Sequence, residues 1–175
     1  MGITIRPITV EDTANVIRWR NNPAVLANFI YQKPFTEEDH LNWLNTKVFT
    51  GDTAQFIIEE TASKTPIGSV YLRDIDKVHQ KGEFGIFIGE DLARGKGYGT
   101  LATKLILQYA FQELKLNKVF LRVFADNPSA IACYKKAGFV EEGLFRADVW
   151  INGQPRDMVF MGLLRSEWEE GLKHD

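Results

Sequence analysis

The sequence predicts an α/β (α+β) fold, a mixed and mostly antiparallel seven-stranded sheet with helices on both faces, on three observations. Segments of strand period, such as Phe84-Gly85-Ile86-Phe87-Ile88, alternate along the chain with segments of helical period, such as Ala102, Leu105, Ile106, Tyr109, Ala110 and Leu114. One strand passes without a spacer into Arg94-Gly95-Lys96-Gly97-Tyr98-Gly99, where three glycines and two cations stand at the start of a helix. The last third reads as a meander: Val149-Trp150-Ile151 and Met158-Val159-Phe160-Met161 flank Asn152-Gly153, a pair that accepts the positive φ of a hairpin turn. At 175 residues the chain fits one domain, 1–175, able to bury a core without disulfides or metal.

Taken in order, Ile3, Ile5 and Ile8 mark a first strand. Thr9-Val10-Glu11-Asp12 has the form of a capping box, so a helix should start near Val10 and end by Trp19-Arg20-Asn21-Asn22-Pro23, because the residue before proline leaves the α region. Residues 24–33 are apolar but aperiodic, a short helix or a loop. Pro34-Phe35-Thr36-Glu37-Glu38-Asp39 repeats the capping signal ahead of an apolar stripe, Leu41, Leu44 and Val48, with Gly51 as its C-terminal cap. Strands are expected at 55–59 and 67–73, an antiparallel hairpin leading to the central strand. Beyond the glycine loop come the amphipathic helix named above and a strand from Lys118 to Phe124. A helix from Asn127-Pro128 to about Ala137 follows, ended by Gly138. The Asn152 turn should be longer than two residues because Gln154-Pro155 follows it, and a terminal helix should include Glu167 to Leu172.

Composition narrows the function classes. Lys plus Arg is 21 against 23 Asp plus Glu, a net charge of −2, which gives no basis for general nucleic-acid binding. Cys133 is the only cysteine, so the chain has no internal disulfide framework and no cysteine zinc site. No apolar run has signal-peptide or membrane-spanning length. The chain is expected to be cytoplasmic, off the membrane, and a possible homodimer. His40, His79 and His174 have no ligand spacing, so no metal is expected.

Backbone N–H groups freed by glycine at a helix start, with the helix dipole behind them, form a phosphate or pyrophosphate site. Neither the Walker spacing nor the dinucleotide Gly-x-Gly-x-x-Gly fits, since the sixth position from Gly95 is Thr100. The spacing that fits is Arg-x-x-Gly-x-Gly, from Arg94 to Gly99, and it resembles the acyl-CoA pyrophosphate loop of the GNAT N-acetyltransferases. A second block, Asn127-x-x-Ala130-x-x-x-Tyr134-x-x-x-Gly138-Phe139, is similar to a motif of the same family in the same order. The resemblance covers residues 80–139 firmly and the remainder loosely.

The resemblance implies a splayed central strand pair and acetyl-CoA as co-substrate. The backbone of Phe87, Ile88 and Gly89 would pair with the pantetheine arm, and Arg94, Gly95, Lys96, Gly97, Tyr98, Gly99 and Thr100 would hold the pyrophosphate. Asn127, Ser129 and Tyr134 complete the expected cofactor contacts. Asn127 also suits a plain helix cap, and Arg94 and Lys96 suit solvated surface charges. The implied reaction is direct attack of a primary amine on the thioester in a ternary complex. A lysine-like amine of pKa ~10.4 is neutral in only about 1 molecule in 2,500 at pH 7. Glu83 is the expected base, which needs a raised pKa or a water chain, and it also suits a salt-bridged strand end. Tyr134 matches the family tyrosine facing the sulfur; donation from a phenol of pKa ~10 to a thiolate of ~8.5 is uphill by about 2 kcal/mol. A core tyrosine is the alternative. Cys133 lacks a neighbouring histidine in sequence to activate it and reads as a packing residue.

Acceptor choice is expected in the first helices. Trp19-Arg20-Asn21-Asn22-Pro23 with Phe29 and the segment from Phe35 to Leu41 is similar to the nucleotide-linked 4-amino-sugar N-acetyltransferases, which makes such an amino sugar, or another small amine, the first expectation. Trp19, Arg20, Asn21, Phe29 and Tyr31 are the candidate substrate contacts, although Trp19 and Phe29 also suit the core. The stretch from Gly138 to Asp157 is similar to ribosomal-protein and spermidine acetyltransferases. Polyamine enzymes resembling this chain place acidic residues where Gln32-Lys33 stands here. A ribosomal-protein or peptide amine, spermidine, and a non-catalytic acyl-CoA sensor are the alternatives.

Overall fold

The protein's computed structural model describes residues 2–173, so His174 lies outside the described residues. Seven strands are present: β1 (Ile3–Pro7), β2 (Ala54–Glu60), β3 (Pro66–Asp76), β4 (Lys81–Ile88), β5 (Lys118–Phe124), β6 (Val140–Ile151) and β7 (Gln154–Leu164). They form one sheet in the order β1-β2-β3-β4-β5-β7-β6. The helices are α1 (Thr13–Arg20), α2 (Pro23–Leu26), α3 (Glu37–Trp43), α4 (Tyr98–Gln108), α5 (Pro128–Lys136) and α6 (Arg165–Gly171). The expected mixed, mostly antiparallel seven-stranded sheet is the one found. Among the described residues no helix is long and apolar enough to cross a membrane.

Local chemistry starts the helices where the sequence placed them. The Asp12 carboxylate accepts from the Thr9 backbone N–H at 2.9 Å, and a 3-10 turn, Val10–Asp12, leads into α1. Thr36 and Asp39 form the reciprocal cap of α3, with the Asp39 N–H donating to Thr36 Oγ1 at 3.1 Å. Both α3 and α4 run on into a wider π-type turn, at Leu44–Val48 and Tyr109–Glu113.

Among the described residues three apolar clusters form, a small one around Phe124, Ile151 and Met158 and two that flank β4. Phe84, Ile86 and Ile88 of β4 face α4 and α5, in a cluster with Ala102, Ile106, Leu121 and Phe139. Phe87 faces the other way, toward Trp19, Val25 and Leu44 of the amino-terminal helices. The strand is therefore apolar on both sides because it is covered on both sides.

The position that matters for the site lies between β4 and β5, the one parallel pair among the described residues. Their register runs only over Lys81↔Lys118, Gly82↔Val119 and Glu83↔Phe120. Beyond Glu83 the two strands continue without pairing, to Ile88 and Phe124, and a gap opens between them.

Two expectations are corrected. The last hairpin turn has two residues after all: Ile151 pairs with Gln154, and Asn152 (φ 52°) and Gly153 (φ 74°) take the left-handed conformation. Pro155 is tolerated there because β7 overruns β5, whose pairing stops at Met158, so no ladder bond is lost on that side. The first strand of this hairpin also begins much earlier, at Val140, where Gly143 and the acidic pair before it hide the alternation.

Candidate active site

At the mouth of the gap, α4 begins with three unpaired N–H groups. Gly95 (φ 74°) and Gly97 (φ 80°) are left-handed, a turn that costs an L-residue about 1–2 kcal/mol and glycine nothing. The first helical bond runs from Leu101 N–H to Gly97 O at 3.2 Å, so the N–H groups of Tyr98, Gly99 and Thr100 have no partner within the helix. This arrangement suits a pyrophosphate through backbone rather than side chains. Lys96 is exposed beside it. The Tyr98 ring is buried with its hydroxyl donating to Glu60 at 3.1 Å, which leaves only its backbone to the site. Arg94 folds back instead, donating to Ile88 O at 3.1 Å and pairing with Asp91 at 2.9 Å, so it clamps the loop to the strand.

Of the three pantetheine positions, Ile88 alone turns its backbone groups to the gap. In an antiparallel ladder every second residue points to a given neighbour. The Gly89 N–H donates to Ile67 O of β3 at 2.8 Å, so Phe87, two residues earlier, faces β3 as well. Ile86, which sequence reasoning missed, joins Ile88 at the gap. Gly89 serves space: a Cβ there would lie 2.0 Å from Trp19 Cγ.

Tyr134 projects from α5 onto β4, its ring edge-on to Phe84 at 5.6 Å and to Phe139 at 6.2 Å. Burial raises the phenol's pKa, with Cys133 and Tyr71 adding to the shift, so it is a protonated donor at neutral pH. Full transfer becomes more uphill, and a hydrogen bond to developing thiolate is the cheaper role. Asn127 is the cap its position before Pro128 requires: Oδ1 accepts from Ala130 N–H at 3.1 Å, while Nδ2 donates to Asn28 at 3.0 Å. Ser129 stands exposed at the same helix end. Cys133 lies 3.3 Å from Thr100 Oγ1, a packing contact between α5 and α4.

Glu83 departs from its expected role as base. It is 6% exposed, accepting from Arg73 Nε at 3.1 Å and from Arg122 Nε at 2.9 Å. Burial pushes its pKa up, but the two guanidiniums outweigh burial and hold it below the ordinary carboxylate range. Of the two routes by which this carboxylate could act as a base, a raised pKa is not met, which leaves only a water chain.

The acceptor-side residues divide in the same way. Trp19 is fully buried under Gly89, its Nε1 donating to Glu90 at 2.7 Å, and Arg18 binds the same carboxylate. It is a core residue and not a stacking platform. Asn21 spends both ends of its amide on the Phe35 backbone, at 2.7 and 2.8 Å. Tyr31 is 75% exposed. Arg20 and Phe29 do face one another, the guanidinium 3.7 Å from the ring centroid, and Phe29 meets Phe87 at 5.7 Å. Tyr71, absent from the sequence reading, lies over Gly85, where a Cβ would come within 2.4 Å of its ring. Its signal is the run Ser69, Tyr71, Arg73, polar groups alternating on a strand.

A gap between parallel strands, an orphaned helix start at its mouth and a tyrosine on its rim point to one donor chemistry. The family model of the GNAT acetyltransferase domain matches residues 3–140. The chain belongs to the GNAT acetyltransferase family. This GNAT protein is 31% identical over 166 residues to a spermidine N(1)-acetyltransferase of Vibrio cholerae, covering 95% of both chains. It is 37% identical over 102 residues to the candidate ribosomal N-acetyltransferase YdaF of Bacillus subtilis, 58% of this chain and 55% of that one. The crystal structure of the Vibrio cholerae spermidine enzyme with CoA and spermine superposes with a TM-score of 0.89 at 29% identity, covering 95% of this chain and 98% of that one. The protein is an acyl-CoA N-acetyltransferase with acetyl-CoA as its co-substrate, and the sensor alternative falls away. These relatives favour the spermidine enzymes over the amino-sugar enzymes as kin. Among the described residues no group of three or more His, Cys, Asp or Glu side chains could hold a metal.

Proposed function

We propose that this protein acetylates a small primary amine by direct attack in a ternary complex, with Tyr134 opposite the thioester sulfur. The observation that carries this reading is the unpaired stretch of β4 and β5, which has the free N–H groups of α4 at its mouth and the Tyr134 phenol on its rim. The neutral amine attacks the carbonyl carbon, the C–S bond breaks, the Tyr134 hydroxyl donates a hydrogen bond to the leaving thiolate, and the ammonium proton passes to water. Glu83 serves this reaction as a structural anion between Arg73 and Arg122.

The relatives' names support a polyamine as the first acceptor to test, and this takes the place of the nucleotide-linked amino sugar. A second reading, taken up below, rests on the charge of the acceptor face. The edge strand β6 exposes Leu144, Phe145 and Trp150, and a solved relative is described as dodecameric, which supports self-association of this chain. The single cysteine suits a reducing cytoplasm. The test is thiol release from acetyl-CoA with spermidine, a peptide with a free N-terminus and simple amines, with the product identified by its acetyl mass. Release with an acetylated product supports the reading, and CoA binding without release for any amine overturns it.

A further inference from the structure

The face of the gap opposite α4 carries three guanidiniums and one buried carboxylate. Arg73 and Arg122 share Glu83, so that carboxylate is fully engaged. Arg20 has no such partner. Its guanidinium lies over the ring of Phe29, at 3.7 Å, and near that of Phe35, at 4.6 Å, and its Nε–H is sealed from solvent without a hydrogen bond. Among the described residues no carboxylate pairs with it. Behind Phe35, His40 is fully buried with both ring nitrogens unpaired. It holds no compensating negative charge.

The two rings hold the guanidinium in place, and with Nε–H sealed its two Nη groups are the part left to grip a carboxylate or phosphate. The neighbours that sense Arg20 are Tyr71, neutral at physiological pH, and Arg73, which repels it. A polyamine has every amine nitrogen protonated near neutral pH. Such a molecule would meet a face where Glu83 and the exposed Asp74 are already paired and the Arg20 charge is left over, and unpaired like charge is how a site rejects a ligand.

We infer that the acceptor face takes a primary amine whose far end carries an anion, a phosphate or a carboxylate, and that the Arg20 guanidinium receives that anion. This rests on the acetyltransferase reading above and narrows its acceptor to the class that the residues favour over polyamines. Arg20 is a binding residue under this inference, and it has no part in bond making.

The experiment uses CoA-saturated protein, so that the pyrophosphate loop is filled, and isothermal titration with O-phosphoethanolamine, 6-aminohexanoate, 1-aminohexane and spermidine. The same four amines are then offered with acetyl-CoA and thiol release is followed. The expected result is that one anion-bearing amine binds at least tenfold more tightly than 1-aminohexane and spermidine. Which of the two does so separates phosphate from carboxylate. Arg20→Gln should remove that preference while leaving CoA affinity unchanged, and Arg20→Lys should restore part of it. Preferred binding without thiol release would sustain the anion site and overturn only the transfer reading. Spermidine or 1-aminohexane binding as tightly as the anionic amines would overturn the inference, whatever the variants do, and so would a preference that survives in folded Arg20→Gln.

Discussion

The donor and acceptor sides of the β4–β5 gap are built of different material. The donor side is backbone: the N–H groups of Tyr98, Gly99 and Thr100, the strand edge at Ile86 and Ile88, and glycines chosen for their φ. The acceptor side is side chains tied to one another across the sheet, Glu83 with Arg73 and Arg122, Trp19 with Glu90, Arg20 with Phe29 and Phe35. Backbone recognition is the same whatever the acceptor, so one donor grip can serve many enzymes. Acceptor choice sits in contacts that can be rewired singly.

Breaking the acceptor side should therefore disturb folding, and breaking the donor side should disturb cofactor binding. The largest effect is expected for Glu83→Gln. It leaves two half-buried guanidiniums short of their shared anion and should cost about 3 kcal/mol in urea unfolding. CoA affinity should stay near wild type in the folded fraction. A loss of the acid limb of the pH–rate profile without any loss of stability would return Glu83 to the role of base.

Gly97→Ala probes the other side. Strain from the left-handed φ and one misdirected N–H should weaken CoA about tenfold, near 1.4 kcal/mol by titration, with a smaller change in unfolding free energy. A variant that binds CoA as wild type does would break the contrast.

The smallest effect is expected at His40, and its sign follows from burial. Burial holds the imidazole below its ordinary pKa of 6.5, with Asp12 opposing and Arg20 adding to the shift. The unfolded chain then binds the extra proton first as pH falls through that value, so stability is present above about pH 6.5 and lost below it. Thermal unfolding between pH 7 and 5 should fall more steeply for the wild type than for His40→Leu. Glu83, also depressed, adds its own loss only below its ordinary value of 4.5. Equal slopes for the two proteins would remove His40 from the acceptor-side electrostatics.

What could be read in the sequence follows the same division. The glycine loop, the helix caps and β5 are local: a handful of consecutive residues fixes their φ, ψ and period, and the structure has them where the pattern put them. The partners of Glu83 are not local, since Arg122 is 39 positions away and the contact exists only because β4 and β5 are neighbours. Trp19 is ambiguous in the sequence because an aromatic that stacks on a ligand and one that fills the core look alike until Gly89 is seen packed against it. The start of β6 was hidden because an exposed edge strand needs no alternation; almost every residue of it faces solvent. The wide turns that extend α3 and α4 shift the helical period over only their last few residues and have no composition of their own.

The central assignment is that Tyr134 faces the departing sulfur. Steady-state kinetics of Tyr134→Phe, with acetyl-CoA varied at a saturating amine, tests it most directly. A fall in kcat of about 100-fold, the usual scale for a lost proton or hydrogen-bond donor, with KM for acetyl-CoA nearly unchanged is the expected result. An unchanged kcat would make Tyr134 a core tyrosine packed on Phe84 and Phe139.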